Sequence, residues 1–302
     1  MKKSIVTIGL FDGVHVGHRQ VITRAVSEAR AAGLRSVAVT FDRHPSDILH
    51  PGHGPLLLTD AATKKRLIQE LGVDEVLIVP FTEELSVLKP GEFLDKVVLP
   101  LDPANIVVGS DFKFGRNREG DTAYLSDYAA KHGFGVESLN LHTVKGEKAS
   151  SSAAREHLIE GDVGSAGAIL GRCPVFRGKV VSGEKRGREL GFPTANVELA
   201  EFLCLPRDGV YAGRIGTGGK TYAAVINVGL APTFGVRRAS IIEAYALDFD
   251  GDLYDQDILV EFCERIRGEK KFDNAADLAK QIADDAQKAR TMIELTNTLK
   301  GG

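Results

Sequence analysis

Residues 4–19 read SIVTIGLFDGVHVGHR, and this stretch sets the architecture of the N-terminal half of the chain. Its beginning, residues 4–10, is apolar and rich in β-branched side chains, which is typical of a strand buried on both faces. From about Gly17 the apolar residues recur along one face of a helix, and Gly33 ends that pattern. A buried strand that leads directly into a helix predicts a parallel sheet with crossover helices.

The turn between this strand and this helix is suited to binding an anion. At the carboxyl edge of a parallel sheet, backbone N–H groups and the helix dipole favour phosphate. Gly13 and Gly17 permit a tight turn and a close approach of the backbone to a ligand. His15 and His18, three residues apart, face roughly the same way. Such a pair is usually structural when it stands alone, but the glycines and the preceding strand favour a phosphate site.

The composition excludes some classes of partner. The 302 residues, of which 43% are hydrophobic, suffice for two domains of ordinary size. The formal net charge of −3 gives no support to a nucleic-acid-binding surface. A strand follows soon after Lys2 and Lys3, and no apolar segment approaches the roughly 20 residues that span a bilayer. We therefore expect a soluble, untargeted protein without nucleic-acid or membrane partners. The oligomeric state stays open, a homo-oligomer included.

The cysteines indicate a reducing compartment. Cys173, Cys204 and Cys263 are odd in number and far apart in sequence. This pattern argues against a disulfide framework and against a cysteine-based zinc site. A cytoplasmic location fits these observations best.

The pattern of predicted secondary structure changes near Gly171. Before it, strand-like and helix-like segments alternate, which predicts an α/β domain with a mainly parallel sheet. After it, short strand-like runs separated by Gly, Asp and Pro predict an antiparallel barrel or sandwich. Residues 274–299 then form one long amphipathic pattern, which predicts a helix packed on that sheet. We place the two domains at residues 1–172 and 173–302.

Two more segments of the first half are candidates for ligand binding. Residues 108–115, VGSDFKFG, end a predicted strand with glycine and polar groups, where α/β proteins often keep binding residues. A plain strand terminus explains that segment equally well. Residues 150–155, SSSAAR, offer capping hydroxyls followed by Arg155, which suits either a phosphate site or an ordinary helix cap.

Together these segments resemble one known family. Residues 9–19, GLFDGVHVGHR, resemble the signature of the nucleotidyltransferase superfamily, and FDGVHVGH is similar to the form in bacterial FAD synthetases. The resemblance implies a Rossmann-like domain in which His15 and His18 bind and polarise the triphosphate of ATP. It also implies ligand contacts from a wider set of residues, namely Phe11, Asp12, Gly17, Asp111, Ser151, Ser152 and Arg155.

Three positions depart from the pattern of the FAD synthetases. Residues 40–45, TFDRHP, resemble a further block of that family, but Arg43 replaces its usual proline. Ser152 and Ala154 stand where threonine and isoleucine are usual. The hydroxyl of Ser152 and the guanidinium of Arg155 are retained, so the implied phosphate contact is carried over.

Residues 183–196, GEKRGRELGFPTAN, carry the main motif of the second half. Thr194 and Asn196 offer oxygen donors, which Mg²⁺ prefers, although a lone Thr-Ala-Asn is usually a turn. The whole string resembles the riboflavin kinase signature, which implies an antiparallel barrel and an ATP–Mg²⁺ site with these two residues at the metal. The resemblance also places the ATP phosphates against a loop that includes Gly183, Lys185, Gly187, Arg188 and Gly191.

The same resemblance places a catalytic base at Glu243. This glutamate stands in an otherwise apolar strand pattern, where a carboxylate either faces solvent or serves a site. Ala244, Tyr245 and Asp255 differ from the residues usual in riboflavin kinases but leave the base intact. Elsewhere, residues 219–221, GKT, suggest a P-loop, yet Arg214 stands where that motif needs glycine. We interpret GKT as part of a hairpin turn.

The two halves together predict a bifunctional enzyme of flavin cofactor synthesis. Riboflavin plus ATP would give FMN, and FMN plus ATP would give FAD with release of pyrophosphate. The first reaction uses a neutral hydroxyl, which benefits from a base, whereas the FMN phosphate is already largely ionised with a second pKa of about 6. Two alternatives are a transferase acting on another phosphorylated molecule, such as a phosphosugar or pantetheine phosphate, and a non-catalytic flavin-binding regulator. The complete kinase string argues against both.

Overall fold

The computed structural model describes residues 2–140, 143–144, 146–182, 192–200, 202–230 and 240–300. The chain divides into two units, Met1–Ser151 and Ser152–Gly302. The functional division that we placed after residue 172 stays a prediction. No helix in these described ranges is long and apolar enough to cross a membrane.

A parallel sheet forms the centre of the first unit. Its five strands are arranged in the order β3-β2-β1-β4-β5, and every neighbouring pair is parallel. All residues of the central strand β1 are buried, which explains why its sequence is almost continuously apolar. The strands are β1 Ser4–Ile8, β2 Arg35–Phe41, β3 Glu75–Val79, β4 Pro103–Gly109 and β5 Gly135–Leu139. The predicted α/β sheet is confirmed.

The helices of this unit cover the sheet. α1, Val16–Ala32, buries its apolar stripe from Val21 to Ala29 and ends at Gly33 in the left-handed conformation, as predicted. Further helices are α2 Pro45–Leu49, α3 Ala61–Gln69, α4 Glu83–Ser86, α5 Pro90–Phe93 and α6 Thr122–His132. Single helical turns lie at Asp12–Val14, Leu94–Val98, Leu99–Leu101 and Arg116–Arg118, and two short strands are β6 Thr143–Val144 and β7 Glu147–Lys148.

A closed antiparallel barrel forms the second unit. Its strands follow one another around the barrel in the order β10-β11-β12-β9-β8-β13. The sequence left a barrel and a sandwich open, and the pairing of β13 with both β8 and β10 closes the barrel. The strands are β8 Val175–Val181, β9 Ala195–Glu198, β10 Gly209–Thr217, β11 Lys220–Leu230, β12 Ser240–Ala246 and β13 Asp257–Arg267.

Helices lie before and after the barrel. α7, Ser151–Glu160, and α8, Val163–Leu170, precede it, and α9, Ala275–Lys300, follows it. α9 buries Ala289 and Ile293 in a cluster with barrel residues, which confirms the predicted packing helix. A 2.8 Å ion pair between Arg267 and the buried Asp285 also ties α9 to β13.

The β10–β11 hairpin settles the interpretation of residues 219–221. Thr217 pairs with Lys220, so Gly218 and Gly219 alone form the connecting loop. Both glycines have positive φ, at 54° and 76°, as a two-residue hairpin of this kind requires. The GKT sequence therefore belongs to a hairpin and not to a P-loop.

One disulfide is present, contrary to the expectation from the cysteine spacing. It joins Cys173, just before β8, to Cys263 in β13. The two cysteines are 90 positions apart in sequence, but β8 and β13 are antiparallel neighbours, with Val175 opposite Glu261. Spacing along a chain does not report such pairing. With Glu261 these sulfurs lie close enough together for a metal, but the disulfide leaves no thiolate for coordination.

Candidate active sites

The turn after β1 has an unusual backbone. Phe11, Gly13 and Val14 have positive φ values of 48°, 76° and 43°. Gly13 adopts this conformation freely, but at Phe11 and Val14 it is rare and costs on the order of 1–3 kcal/mol per residue. Gly9 makes the turn possible, because a Cβ there would lie 2.6 Å from the Phe11 ring. The surrounding structure therefore holds this turn in a conformation that the chain does not adopt by itself.

Asp12 is the main internal anchor of the turn. Its buried Oδ1 accepts hydrogen bonds from the backbone N–H groups of Leu58 at 3.0 Å and Thr59 at 3.2 Å. The Thr59 hydroxyl accepts from the N–H of Gly13 at 3.2 Å. On the other side, the Ser151 hydroxyl donates to the carbonyl oxygen of Asp12 at 2.8 Å. Asp12 and Ser151, both predicted as ligand contacts, thus make protein contacts: the Asp12 carboxylate binds residues 58 and 59, and the Ser151 hydroxyl binds the turn.

His15 and His18 come together as predicted from their spacing. His15 caps α1, and its Nδ1 accepts a 3.3 Å hydrogen bond from the N–H of His18. The two rings stack with centroids 3.6 Å apart and planes 20° from parallel. Because Nδ1 of His15 is an acceptor, the proton of a neutral ring lies on Nε2. That N–H is the donor that His15 has for a ligand oxygen.

His18 is held in its neutral form. Burial lowers its pKa well below the usual value, and the stacked ring of His15 and the ammonium group of Lys64 lower it further. The Phe11 ring packs edge-on against it at 5.2 Å. Its Nδ1 is buried and has no hydrogen-bond partner among the described residues. Unpaired buried polar atoms are rare in folded proteins and are concentrated at sites with a role beyond packing.

Lys64 is a component of this site that the sequence reasoning missed. It lies on α3, is fully buried, and donates from Nζ to the carbonyl oxygens of Leu10 at 3.1 Å and Phe41 at 2.6 Å. Burial lowers its pKa to about 8, although the charges of nearby aspartates oppose that shift. One signal was present in the sequence, because Lys64 shares a helical face with the buried Leu67 and Ile68.

The remaining predicted residues of this half are spread over neighbouring elements. Gly17 is buried in the first turn of α1. Asp111 follows β4, the neighbour of β1, and its carboxylate accepts a 2.6 Å bond from Lys148. Ser152 and Arg155 follow Ser151 in α7, within the second unit.

In the second unit, Thr194 and Asn196 line a cavity of about 470 Å³. This volume lies in the range of small-molecule sites. Phe249, Asp252 and Tyr254 contribute to the wall of the same cavity. The hydroxyl and amide oxygens fit Mg²⁺, which prefers hard oxygen ligands. The predicted phosphate-binding residues Gly183, Lys185, Gly187, Arg188 and Gly191 lie outside the described residues.

Glu243 lies on the outer face of the barrel, directly opposite Asn196. The β9–β12 ladder pairs the two residues, and the β11–β12 ladder pairs Glu243 with Asn227. Directly paired residues of antiparallel strands project from the same face, with their Cβ atoms about 4.5–5.5 Å apart. Ile242 and Ala244 are buried, whereas Glu243 is exposed. The carboxylate therefore faces solvent and also lies beside a candidate metal ligand, and Asn227 is a polar neighbour that we did not predict.

Two of the departures from the riboflavin kinase pattern have a structural context. Tyr245 packs edge-on against Phe192, with ring centroids 5.6 Å apart. Asp255 has a positive φ of 58°, which explains why glycine is common at this position. Aspartate tolerates that conformation better than most residues.

The comparisons with known proteins agree with the two units. The FAD synthetase family matches residues 1–153, and the riboflavin kinase family matches residues 170–293. A bifunctional riboflavin kinase/FMN adenylyltransferase of Bacillus subtilis (strain 168) is 38% identical over 290 residues, covering 95% of this chain and 92% of the relative. Its counterpart in Escherichia coli (strain K12) is 36% identical over 295 residues, covering 97% and 93%.

A solved structure is also similar to this chain over most of its length. The crystal structure of a protein named macrolide-efflux protein, from Streptococcus pneumoniae, has a TM-score of 0.85 and 31% sequence identity, covering 96% of this chain and 94% of that one. The name belongs to that protein alone; for this chain, the comparison shows a similarity of fold and sequence.

A nucleotidyltransferase-like sheet and a flavokinase-like barrel in one chain define a two-activity transferase. The chain belongs to the bifunctional riboflavin kinase/FMN adenylyltransferase family. The predicted function, synthesis of FMN and then FAD from riboflavin, is confirmed at the level of the family. Neither alternative accounts for a riboflavin kinase match over residues 170–293.

Proposed function

We propose that the first unit adenylylates FMN at the histidine turn and that the second unit phosphorylates riboflavin beside Glu243. The pairing of Glu243 with Asn196 across the β9–β12 ladder carries the kinase assignment. The stacked rings of His15 and His18 at the carboxyl edge of the sheet carry the adenylyltransferase assignment.

In the kinase reaction, a hydroxyl of riboflavin attacks the γ-phosphorus of ATP and ADP leaves. Glu243 accepts the proton of that hydroxyl, for which its exposed carboxylate is accessible. Thr194 and Asn196 would hold Mg²⁺ in the cavity that they line. When bound, the ion offsets the negative charge of the phosphates.

In the adenylyltransferase reaction, a phosphate oxygen of FMN attacks the α-phosphorus of ATP and pyrophosphate leaves. No strong base is needed, because the FMN phosphate is largely ionised near neutral pH, with a second pKa of about 6. The Nε2–H of His15 donates a hydrogen bond to the triphosphate, and His18 contributes a neutral ring from the first turn of α1. Ser152 and Arg155 remain predicted phosphate contacts on α7.

We also propose Mg²⁺ as the cofactor and the cytoplasm as the location. The hard oxygen donors of Thr194 and Asn196 favour Mg²⁺ as the metal. Both reactions use ATP as co-substrate, which favours a compartment that contains ATP. The net charge of −3 supports small-molecule partners and no nucleic acid. In a reducing compartment, the Cys173–Cys263 bond is open to exchange with cellular thiols.

One incubation tests the proposal. The purified chain is mixed with riboflavin, ATP and Mg²⁺, and the flavins are separated by chromatography over time. FMN should appear first and FAD later, and omission of Mg²⁺ should stop FMN formation. A reaction with supplied FMN and ATP isolates the second step. Formation of FMN alone would remove the proposed role of the histidine turn, and consumption of neither flavin would overturn both assignments.

A further inference from the structure

The surroundings of Lys64 are unusual for a lysine. Its side chain is completely buried, yet among the described residues it forms no ion pair and bonds only to two backbone carbonyl oxygens. Burying an ammonium group costs several kcal/mol unless other interactions compensate. An apolar residue would fill the same space in α3 without that penalty. The charge and the donor geometry therefore have a use beyond packing.

The two carbonyl groups show what that use is. Phe41 is the last residue of β2 and Leu10 lies two residues after the adjacent strand β1, so one ammonium group joins the chain segments at both strand ends. The Leu10 carbonyl also accepts a 2.9 Å bond from the Thr40 hydroxyl. The next residue, Phe11, is the first with positive φ in the histidine turn. Lys64 thus fixes the point at which the chain leaves the sheet and enters that turn.

We infer that Lys64 is a positioning residue of the adenylyltransferase site, which holds the turn carrying His15 and His18 against the ends of β1 and β2. The inference rests on the proposed role of the histidine pair. Lys64 acts through the histidines and the backbone, and it is not assigned a contact with substrate.

The positive charge of Lys64 has a second effect, which acts on the protonation of the neighbouring His18. The charged groups that face it are Asp12 in the turn, Asp42 after β2 and Asp60 at the start of α3, all of which favour its ammonium form. Besides its own burial, His18 has His15 and Lys64 as neighbours, and both of these groups lower its pKa and so favour its neutral form. Lys64 therefore adds to the effect of burial, which is the main cause that keeps this ring neutral with one donor and one acceptor instead of two donors.

Two substitutions at position 64 and one beside it test this inference in the full chain. Lys64→Met removes the charge and the donors, and Lys64→Arg restores a cation. Lys65→Met is the matched control, because Lys65 is the exposed neighbour on the same helix. The rate of FMN formation from riboflavin serves as an internal control for intact protein.

We expect Lys64→Met to lower kcat for adenylylation of FMN by roughly 10- to 100-fold, the size of effect that small misplacements in an active site produce. The imidazole of His18, assigned in NMR spectra by comparison with His18→Gln, should titrate at higher pH in Lys64→Met. Lys64→Arg should recover part of the rate, and Lys65→Met should match the parent protein. A folded Lys64→Met with the parent rate and the parent His18 titration would overturn the inference.

A measurement on the unaltered protein covers the case in which Lys64→Met does not fold. The pKa of Lys64 is about 8, so its charge is lost as the pH rises from 7 to 9. The ring signals of His18 should shift over that interval, and an unchanged spectrum would refute the coupling. If instead the histidine variants retain full adenylylation, the proposed function fails, while the titration of His18 still reports on Lys64.

Discussion

Glu243 in β12 and Asn196 in β9 are directly paired on the outer face of the barrel. One carries the carboxylate of the candidate base, and the other carries an amide oxygen that suits a metal ion. Antiparallel pairing fixes their separation more firmly than a loop would, because the backbone of both residues belongs to the ladder. In the proposed kinase mechanism, the proton acceptor and a ligand of the metal would therefore occupy neighbouring positions on one sheet.

Replacement of the base should separate the two activities. Glu243→Gln keeps the size of the side chain but cannot accept a proton, so FMN formation should fall by roughly 10²- to 10⁴-fold. Adenylylation of supplied FMN should continue, as measured by chromatography of the flavins. Glu264→Gln is the control, since Glu264 is exposed on β13, which is not a neighbour of β12. Normal riboflavin phosphorylation by Glu243→Gln would rule out Glu243 as the base.

Removal of the histidine pair should have the opposite result. In His15→Ala combined with His18→Ala, the adenylylation rate should fall by roughly 10²- to 10³-fold, because the donors to the triphosphate are lost. Riboflavin phosphorylation should be unchanged. His132→Ala, on α6 of the same unit, provides the control. Undiminished FAD formation by the double variant would exclude the pair from catalysis.

The metal assignment predicts a change in Mg²⁺ requirement. Thr194→Val and Asn196→Ala each remove an oxygen donor from the cavity, so the Mg²⁺ concentration for half-maximal kinase rate should rise. Thr221→Val, at an exposed position of β11, should leave that concentration unchanged. The titration is made at saturating ATP and riboflavin. Identical Mg²⁺ curves for all three variants would contradict a metal site at these residues.

Reduction of the disulfide should weaken the barrel. Cys173 and Cys263 are 90 residues apart, and in the chain-entropy account a cross-link over such a loop stabilises by roughly 4–5 kcal/mol. Denaturant unfolding of the second unit should therefore shift to lower concentration when a reductant is added. Cys173→Ser should unfold at the reduced midpoint under both conditions. The same midpoint with and without reductant in the parent protein would argue against the bond.

His18 should make stability depend on pH on the acid side. Its pKa is lowered in the folded chain, so the unfolded chain takes up a proton first as the pH falls below about 6.5. The free energy of unfolding should thus be fully retained above that pH and decrease below it. His18→Gln cannot bind this proton and should lose less stability between pH 7 and pH 5. Parallel curves for His18→Gln and the parent would show that the ring is not desolvated.

The elements that the sequence predicted well depend on local patterns. β1 and α1 follow from apolar periodicity and from Gly33, which are properties of adjacent residues. The barrel strands follow from short apolar runs and turn residues in the same way. His15 and His18 are separated by about one helical turn at the start of α1, so their spacing was sufficient to predict that the two rings come together.

The features that were missed depend on contacts between distant segments. Lys64 reaches two strand ends from another helix, and Cys173 meets Cys263 only because β8 and β13 are neighbours. Asn227 joins Glu243 through the register of β11, which no local pattern reports. The sequence pattern also left Glu243 between a solvent-facing role and a site role; the residue is exposed and paired with Asn196, and its role as a base stays a prediction.

The cross-link between Cys173 and Cys263 also closes the segment that carries the candidate kinase residues into a covalent ring. Thr194, Asn196 and Glu243 all lie inside that ring. A protease that cuts once between the two cysteines therefore leaves two pieces that travel together on a gel until a reductant is added. In the oxidised protein, a single cut of the backbone therefore does not separate the two fragments that carry the candidate kinase residues.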